Sequence, residues 1–200
     1  KNSKVLAIDL SLSSLAYAKR KTEELSFDNI EYMQADILDL GNLKRHFDII
    51  ESVGVLHHMD DPMAGWRVLT NCLRQGGLMK IGLYSELARQ HIIKMREEIA
   101  HSRIRSNDIA MKSFRKNLIS SDKAHHRVDL HSPDFYSMST LRDLLFHVQE
   151  HRFSLAEIKA CLDELGLKFC GFESVDIVKK FSSNNIGVDD PYDLDKWKIY

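Results

Sequence analysis

Strand and helix alternate through the first 85 residues of this chain, and that alternation narrows the fold more than any single motif does. Val5-Leu6-Ala7-Ile8-Asp9 is a short apolar strand closed by an acid. Ser11 or Ser13 can then cap a helix whose Leu12, Leu15, Ala18, Thr22 and Leu25 lie close to one face. Ile30-Glu31-Tyr32-Met33-Gln34 alternates like a second strand and ends in Ala35-Asp36, and Phe47 to Ser52 makes a third. Asp61 at an N-cap and Pro62 in the first turn open another helix. Its inward stripe is Met63, Trp66, Leu69 and Leu73, and Gly76-Gly77 is its stop. Leu78 to Tyr84 reads as a fourth strand. Strands separated by helices imply right-handed crossovers, so the class is α/β with a mainly parallel sheet.

From Glu86 to about His147 the period turns helical. Residues 87–127 hold ten Lys/Arg against four Asp/Glu, in a chain whose formal net charge is −1. This basic stretch reads as a solvated helical face serving as a lid, or as a surface for an anionic acceptor. Phe114 is its lone aromatic residue, which leaves base stacking without support. Thr140-x-x-Asp143 resembles a capping box ahead of Leu141, Leu144, Leu145 and Val148. Ser154-x-x-Glu157 is a cleaner one, with Gly166 as the stop. Leu167 to Phe172 reads as a fifth strand, and the acidic, aromatic end from Asp189 to Tyr200 as a helix from Tyr192 onward. The expected organisation is a core over 1–85, a helical insertion over 86–147, and a closing helix–strand–helix over 148–200.

Two hundred residues suffice for one domain or one domain with an insertion. At 44% hydrophobic and 28% charged residues the chain is not of the disordered class. Its near-zero net charge gives no whole-chain argument for nucleic acid or a membrane surface, and no apolar run approaches the ~20 residues that span a bilayer. Cys72, Cys161 and Cys170 lack metal-ligand spacing and read as reduced thiols of a cytoplasmic protein. A start at Lys1, directly before a strand, reads as a piece of a longer protein.

Open parallel sheets bind ligands outside the carboxyl ends of their strands. Three polar clusters fall there: Asp9-Leu10, Ala35-Asp36-Ile37, and Glu51-Ser52-Val53-Gly54. An acid after one strand can accept both hydroxyls of a ribose. An acid after the next can accept the exocyclic amine of adenine, with Leu10 and Ile37 against the ring. Either acid can equally be a plain helix cap. His57-His58 can line a site or pack beneath the following helix. Adjacent histidines point apart and no partner ligand stands at zinc spacing, so no metal is expected. His125-His126 reads as a solvated surface pair.

These residues resemble the class I S-adenosyl-L-methionine-dependent methyltransferases. Val5 to Ser11 is similar to the family's second strand with its ribose acid, and Gln34-Ala35-Asp36-Ile37 to the adenine-binding turn. Phe47 to Met59 resembles the fourth-strand motif with its Leu-His-His tract. Leu73-Arg74-Gln75-Gly76-Gly77-Leu78-Met79 resembles the turn before the fifth strand, with Gln75 where proline is usual. Phe135 to Phe153 is similar to methyltransferase domains that accompany tetratricopeptide repeats, although no such repeat is present. The resemblance implies a partial Rossmann-like sheet with the helical insertion after the fifth family strand. It also implies S-adenosyl-L-methionine as cofactor, methyl transfer to an unidentified small-molecule or protein acceptor, and no unique base.

By that resemblance Asp9 holds the ribose, Asp36 the adenine amine, and Leu10 and Ile37 the ring faces. Ser52 and Val53 lie nearest the methionine, and His57 lines the cofactor or substrate side. His57, His58, Glu51, His131 and His147 are the candidate bases. The family's first strand and glycine-rich loop have no counterpart here. The strands ending at Asp9 and Ser52 are therefore expected to carry uncovered edges, open to an upstream segment or a second copy of the chain, and cofactor affinity is expected to be weak. Two alternatives stand beside this reading. One is a non-catalytic interaction module that uses the basic insertion. The other is a nicotinamide-dependent Rossmann enzyme, which explains neither the Ala-Asp turn nor the Leu-His-His tract.

Overall fold

The computed structural model describes residues 3–127, 135–147, 149–184 and 190–198. The expected positions His131, Val148, Asp189 and Tyr200 lie outside them. The chain divides into two compact units, Lys1–Leu56 with Asp61–Ile81, and His57–Asp60 with Gly82–Tyr200.

In the first unit, β1 (Val5–Asp9) pairs in parallel with β2 (Ile30–Gln34), in register from Val5 opposite Ile30 to Asp9 opposite Gln34. The crossover is α1 (Leu12–Glu24). Ser11 caps it, its hydroxyl accepting from Ser14 N at 3.2 Å. A second two-stranded sheet joins β3 (Phe47–Val53) to β4 (Leu73–Gly82). Between them runs α2 (Pro62–Cys72), capped by Asp61, which accepts from Ala64 N at 3.0 Å. Ion pairs Asp48–Arg74 and Glu51–Lys80 advance in the same sense along both strands, the order a parallel pair gives.

Gly76-Gly77 does not stop a helix. The helix ends at Cys72, so Leu73 leaves its expected stripe and starts the strand that runs through both glycines. A Cβ on Gly77 would lie 2.9 Å from the carbonyl oxygens of both Arg74 and Asp48, so the absent side chain lets β4 approach β3.

Among the described residues neither sheet has a third strand. The open edges leave Val5, Leu10, Ile49, Val53 and Leu78 exposed. A two-stranded sheet also offers little surface to a covering helix. Accordingly α1 buries Leu15 alone, while Leu12 and Leu25 of its expected stripe stay in solvent. The apolar burial of this unit lies instead around Leu40, Leu56, Trp66, Leu69 and Cys72.

The second unit is helical, as its period predicts: α3 (Gln90–His101), α4 (Asp108–Ile119), α5 (Ala124–Arg127) and α6 (Met138–Phe146). Ile92, Met95, Met111, Phe114, Leu118, Leu141 and Leu145 form one continuous core. The Thr140 box is not formed. Helix α6 starts at Met138, and Thr140 donates its hydroxyl to Ser137 O from inside the first turn. The Ser154 box is complete in both halves and opens α7 (Leu155–Leu165), which Gly166 ends in the left-handed region at φ 66°.

Leu167 to Phe172 is not a strand, because no strand among the described residues pairs with it. Its aromatic residues join a different cluster, in which Phe169 meets Phe172, Phe172 meets Trp197, and Trp197 stacks on Phe181 of α8 (Val175–Asn184). The last helix, α9 (Leu194–Trp197), is shorter than the pattern suggests and is capped by Asp193. His126 is buried at 5% exposure, which corrects the reading of His125-His126 as a surface pair. No helix among the described residues is long and apolar enough to cross a membrane.

Gly77→Ala is expected to destabilise the chain by about 1–3 kcal/mol, because the clash is with backbone that cannot yield cheaply. Gly41→Ala, where a Cβ meets nothing within 4 Å, serves as the near-neutral comparison. Urea titration of both variants measures the difference, and equal midpoints would refute this account of β4.

Candidate functional site

The parallel register brings two acids to one sheet edge. Asp9 ends β1 opposite Gln34, Ala35 N reaches Asp9 O at 3.4 Å, and Asp36 follows at once. Each carboxylate is steadied by backbone. Asp9 Oδ1 accepts from Ser11 N at 2.7 Å, and Asp36 Oδ1 accepts from Leu38 N at 2.9 Å, capping the short 3-10 helix Ile37–Leu43. Gln34 Nε2 donates to Leu10 O at 2.9 Å and ties the two loops together. Leu10 is exposed and Ile37 half-buried. The edge therefore presents two oriented acceptor groups with an apolar side chain beside each.

At the end of β3, Ser52 is buried at 7% exposure and its hydroxyl has no hydrogen-bond partner among the described residues. Such an orphan carries a desolvation cost until something meets it. Val53 beside it is exposed, and Gly54 turns the chain at φ 76°. Glu51, a candidate base, is taken up in its ion pair with Lys80 at 2.9 Å.

His57 and His58 belong to the second unit. His57 is 1% exposed, stacks on Tyr84 at 3.7 Å between centroids, and has no hydrogen-bond partner of good geometry for either ring nitrogen among the described residues. Burial, with the neighbouring His58 and Arg89 adding to it and Glu150 opposing, pushes its pKa down to about 4. It is therefore neutral at pH 7 and poorly suited to take a proton, which supports the packed role over the catalytic one. His58 sets Nδ1 3.1 Å from Gln149 O and lies 4.1 Å from the His147 ring, while His151 N donates to His57 O at 2.7 Å.

Beneath these rings lies a carboxylate that the sequence reading did not single out. The Glu150 side chain is 1% exposed and accepts from Arg89 Nε at 3.0 Å. Arg96 approaches it to 3.0 Å and Arg152 to 3.7 Å. Arg89 also covers the Tyr84 ring at 3.7 Å. Part of the basic excess of residues 87–127 is thus spent inside the unit. The available signal was the His147-to-His151 tract with a lone acid among histidines, downstream of many arginines.

Comparison with known proteins adds three findings. Residues 1–81 match the family model described as a methyltransferase domain. An uncharacterized protein of a Synechococcus strain is 29% identical over 210 residues, covering 100% of this chain and 50% of that protein. Among solved structures, PKMT2 from Rickettsia typhi in complex with AdoHcy superposes with a TM-score of 0.61 at 18% identity, covering 98% of this chain and 41% of that one. A second structure of the same protein gives 0.63 at 15% identity, with 98% and 40% covered. The fold is that of these neighbours, and the chain spans about half the length of the curated relative it matches.

His57 has a measurable consequence for stability. Unfolded, it takes a proton near pH 6.5, but folded only near 4. Between those values the unfolded chain holds more protons, so acid favours unfolding, and the stabilisation present above pH 6.5 is lost toward pH 4. The expected loss is roughly 2–3 kcal/mol. His57→Phe, which keeps a ring against Tyr84, should flatten this part of the profile. Urea unfolding of both proteins at pH 7 and pH 4.5 checks it, and parallel profiles would rule the explanation out.

Proposed function

We infer, from the match of residues 1–81 to the family model described as a methyltransferase domain, that this chain takes part in methyl transfer from S-adenosyl-L-methionine. In this reading its first unit holds the adenosyl part of the cofactor. One observation carries the assignment: the parallel register sets Asp9 and Asp36 at the carboxyl ends of adjacent strands. The hydroxyls of a ribose and the exocyclic amine of adenine are donors, and ionised carboxylates only accept. Backbone N–H groups already orient both acids, so little ordering is left to be done on binding. Leu10 and Ile37 supply apolar contact for the ring. The unmet Ser52 hydroxyl, with Val53 beside it, supports a polar group arriving at the end of β3.

When bound, the cofactor supplies an electrophilic methyl group on a sulfonium. The chain's own contribution is to bind and orient it, since in-line displacement depends chiefly on position. His57 is left out of the chemistry, in keeping with its burial and neutrality. The AdoHcy held by PKMT2, a chain of the same fold, supports the same ligand class here.

Two-dimensional ¹H–¹⁵N spectra titrated with S-adenosylhomocysteine test this reading. Shifts are expected at Asp9, Leu10, Asp36, Ile37, Ser52 and Val53. Asp9→Asn keeps an oxygen to accept from Ser11 N but loses the charge, and should weaken binding about tenfold or more. Shifts confined to the second unit, or an unchanged affinity in Asp9→Asn, would overturn the assignment.

A further inference from the structure

Away from that edge, three ligating side chains meet within the second unit. Glu98 lies on α3, and His125 and His126 are consecutive on α5. Neighbouring helical residues point about 100° apart, so adjacent histidines seldom share a target. Here they do. His125 Nε2 lies 2.9 Å from Glu98 Oε1 and His126 Nε2 lies 2.8 Å from Glu98 Oε2, with the two rings edge to face at 4.3 Å. One ligand atom from each of the three residues lies within 4.8 Å of the others.

We propose that Glu98, His125 and His126 form a binding site for a divalent transition-metal ion of the zinc class, with solvent completing its coordination. Two imidazoles and one carboxylate are a donor set that suits zinc and leaves a position open. Tetrahedral bonds of about 2.0–2.1 Å put ligand atoms about 3.3 Å apart, so the two histidine–carboxylate contacts open by about half an ångström while the three ligand atoms, now within 4.8 Å of one another, settle to that spacing. A cation takes the Nε2 lone pairs, leaving a neutral ring its proton on Nδ1 and releasing the second proton of a charged ring to solvent. In the metal-free chain the accepting Glu98 carboxylate keeps a proton on His126 Nε2, so a neutral ring has to carry its proton on Nδ1 instead, an atom with no other partner among the described residues, when a cation takes that place.

Glu98 is the acceptor on which the cluster converges, taking hydrogen bonds from Lys123, His125 and His126. Lys123 is the competitor, with Nζ 2.7 Å from Oε1. Its side chain is 57% exposed and can swing into solvent, giving up an exposed ion pair of the kind that contributes little. His125 and Glu98 are partly exposed, which gives the ion a way in. Bound there, it would fasten α5, a helix of four residues, to α3.

The test uses the whole chain after chelator treatment, in a Cys161→Ser, Cys170→Ser background, titrated separately with zinc and cobalt(II). Zinc is expected to raise the unfolding temperature, and cobalt to show visible ligand-field bands without thiolate charge-transfer bands. His125→Ala should weaken binding by at least about tenfold while leaving the metal-free unfolding temperature within a few degrees. Glu98→Gln, which keeps the side-chain shape, gives the same readout if the alanine variant does not fold. No cobalt bands, no zinc shift, or undiminished binding in either folded variant would overturn the proposal. In that case the cluster is a hydrogen-bonded knot around Glu98.

Discussion

A carboxylate cannot sit at 1% exposure without charge brought to it, and Glu150 imposes that requirement on the second unit. Arg89 and Arg96, a little under two turns apart on the α3 side, converge on it, and Arg152 approaches from its own strand of chain. Each cation then engages something else. Arg89 covers Tyr84, which carries the His57 ring, and Arg96 donates to the carbonyl of Leu144 near the end of α6. One buried charge thereby fixes the start of α3, the end of α6 and the histidine tract together. Removing a partner from such a cluster leaves an uncompensated charge and typically costs about 3–5 kcal/mol. The helical core of Met95, Met111 and Leu141 packs within the frame that results.

The first unit rests on a different constraint, the pairing of strand backbones. With two strands to a sheet, burial is shallow and apolar side chains remain on open edges. The positions of Asp9 and Asp36 consequently owe little to core packing. They follow from register, which a one-residue slip would destroy by turning every side chain of a strand to the other face. Exposed edges of this kind have to be covered or kept from wrong partners, and the ion pairs along β3 and β4 put charge on them.

What could be read from the sequence was local. Ser11, Asp61 and the Ser154–Glu157 pair cap the helices they appear to cap, because a cap is settled within a few residues. The first two strands and their acids were legible for the same reason. Failures came where a distant partner decides. Gly76-Gly77 resembles a helix stop until β3 is known to press against it. Leu167 to Phe172 has a strand's composition but no strand beside it, and its aromatic residues go to Trp197 instead. His125-His126 looks solvated until Glu98, 27 residues away for the nearer ring, supplies a common target. His57 stacks on Tyr84 and accepts from His151 N, contacts with distant residues that no local pattern announces.

The choice between cap and ligand for Asp9 and Asp36 is, in the end, no choice. A carboxylate has two oxygens and about four lone-pair directions. The bonds from Ser11 N and Leu38 N engage Oδ1 in each case and hold the group in one orientation. The side-chain freedom that a mobile acid would lose on meeting a ligand has already been lost on folding. In the reading proposed above, local capping and ligand recognition draw on one arrangement, and the bonds that make these acids look merely structural would present them to a donor-rich ligand at a sheet edge.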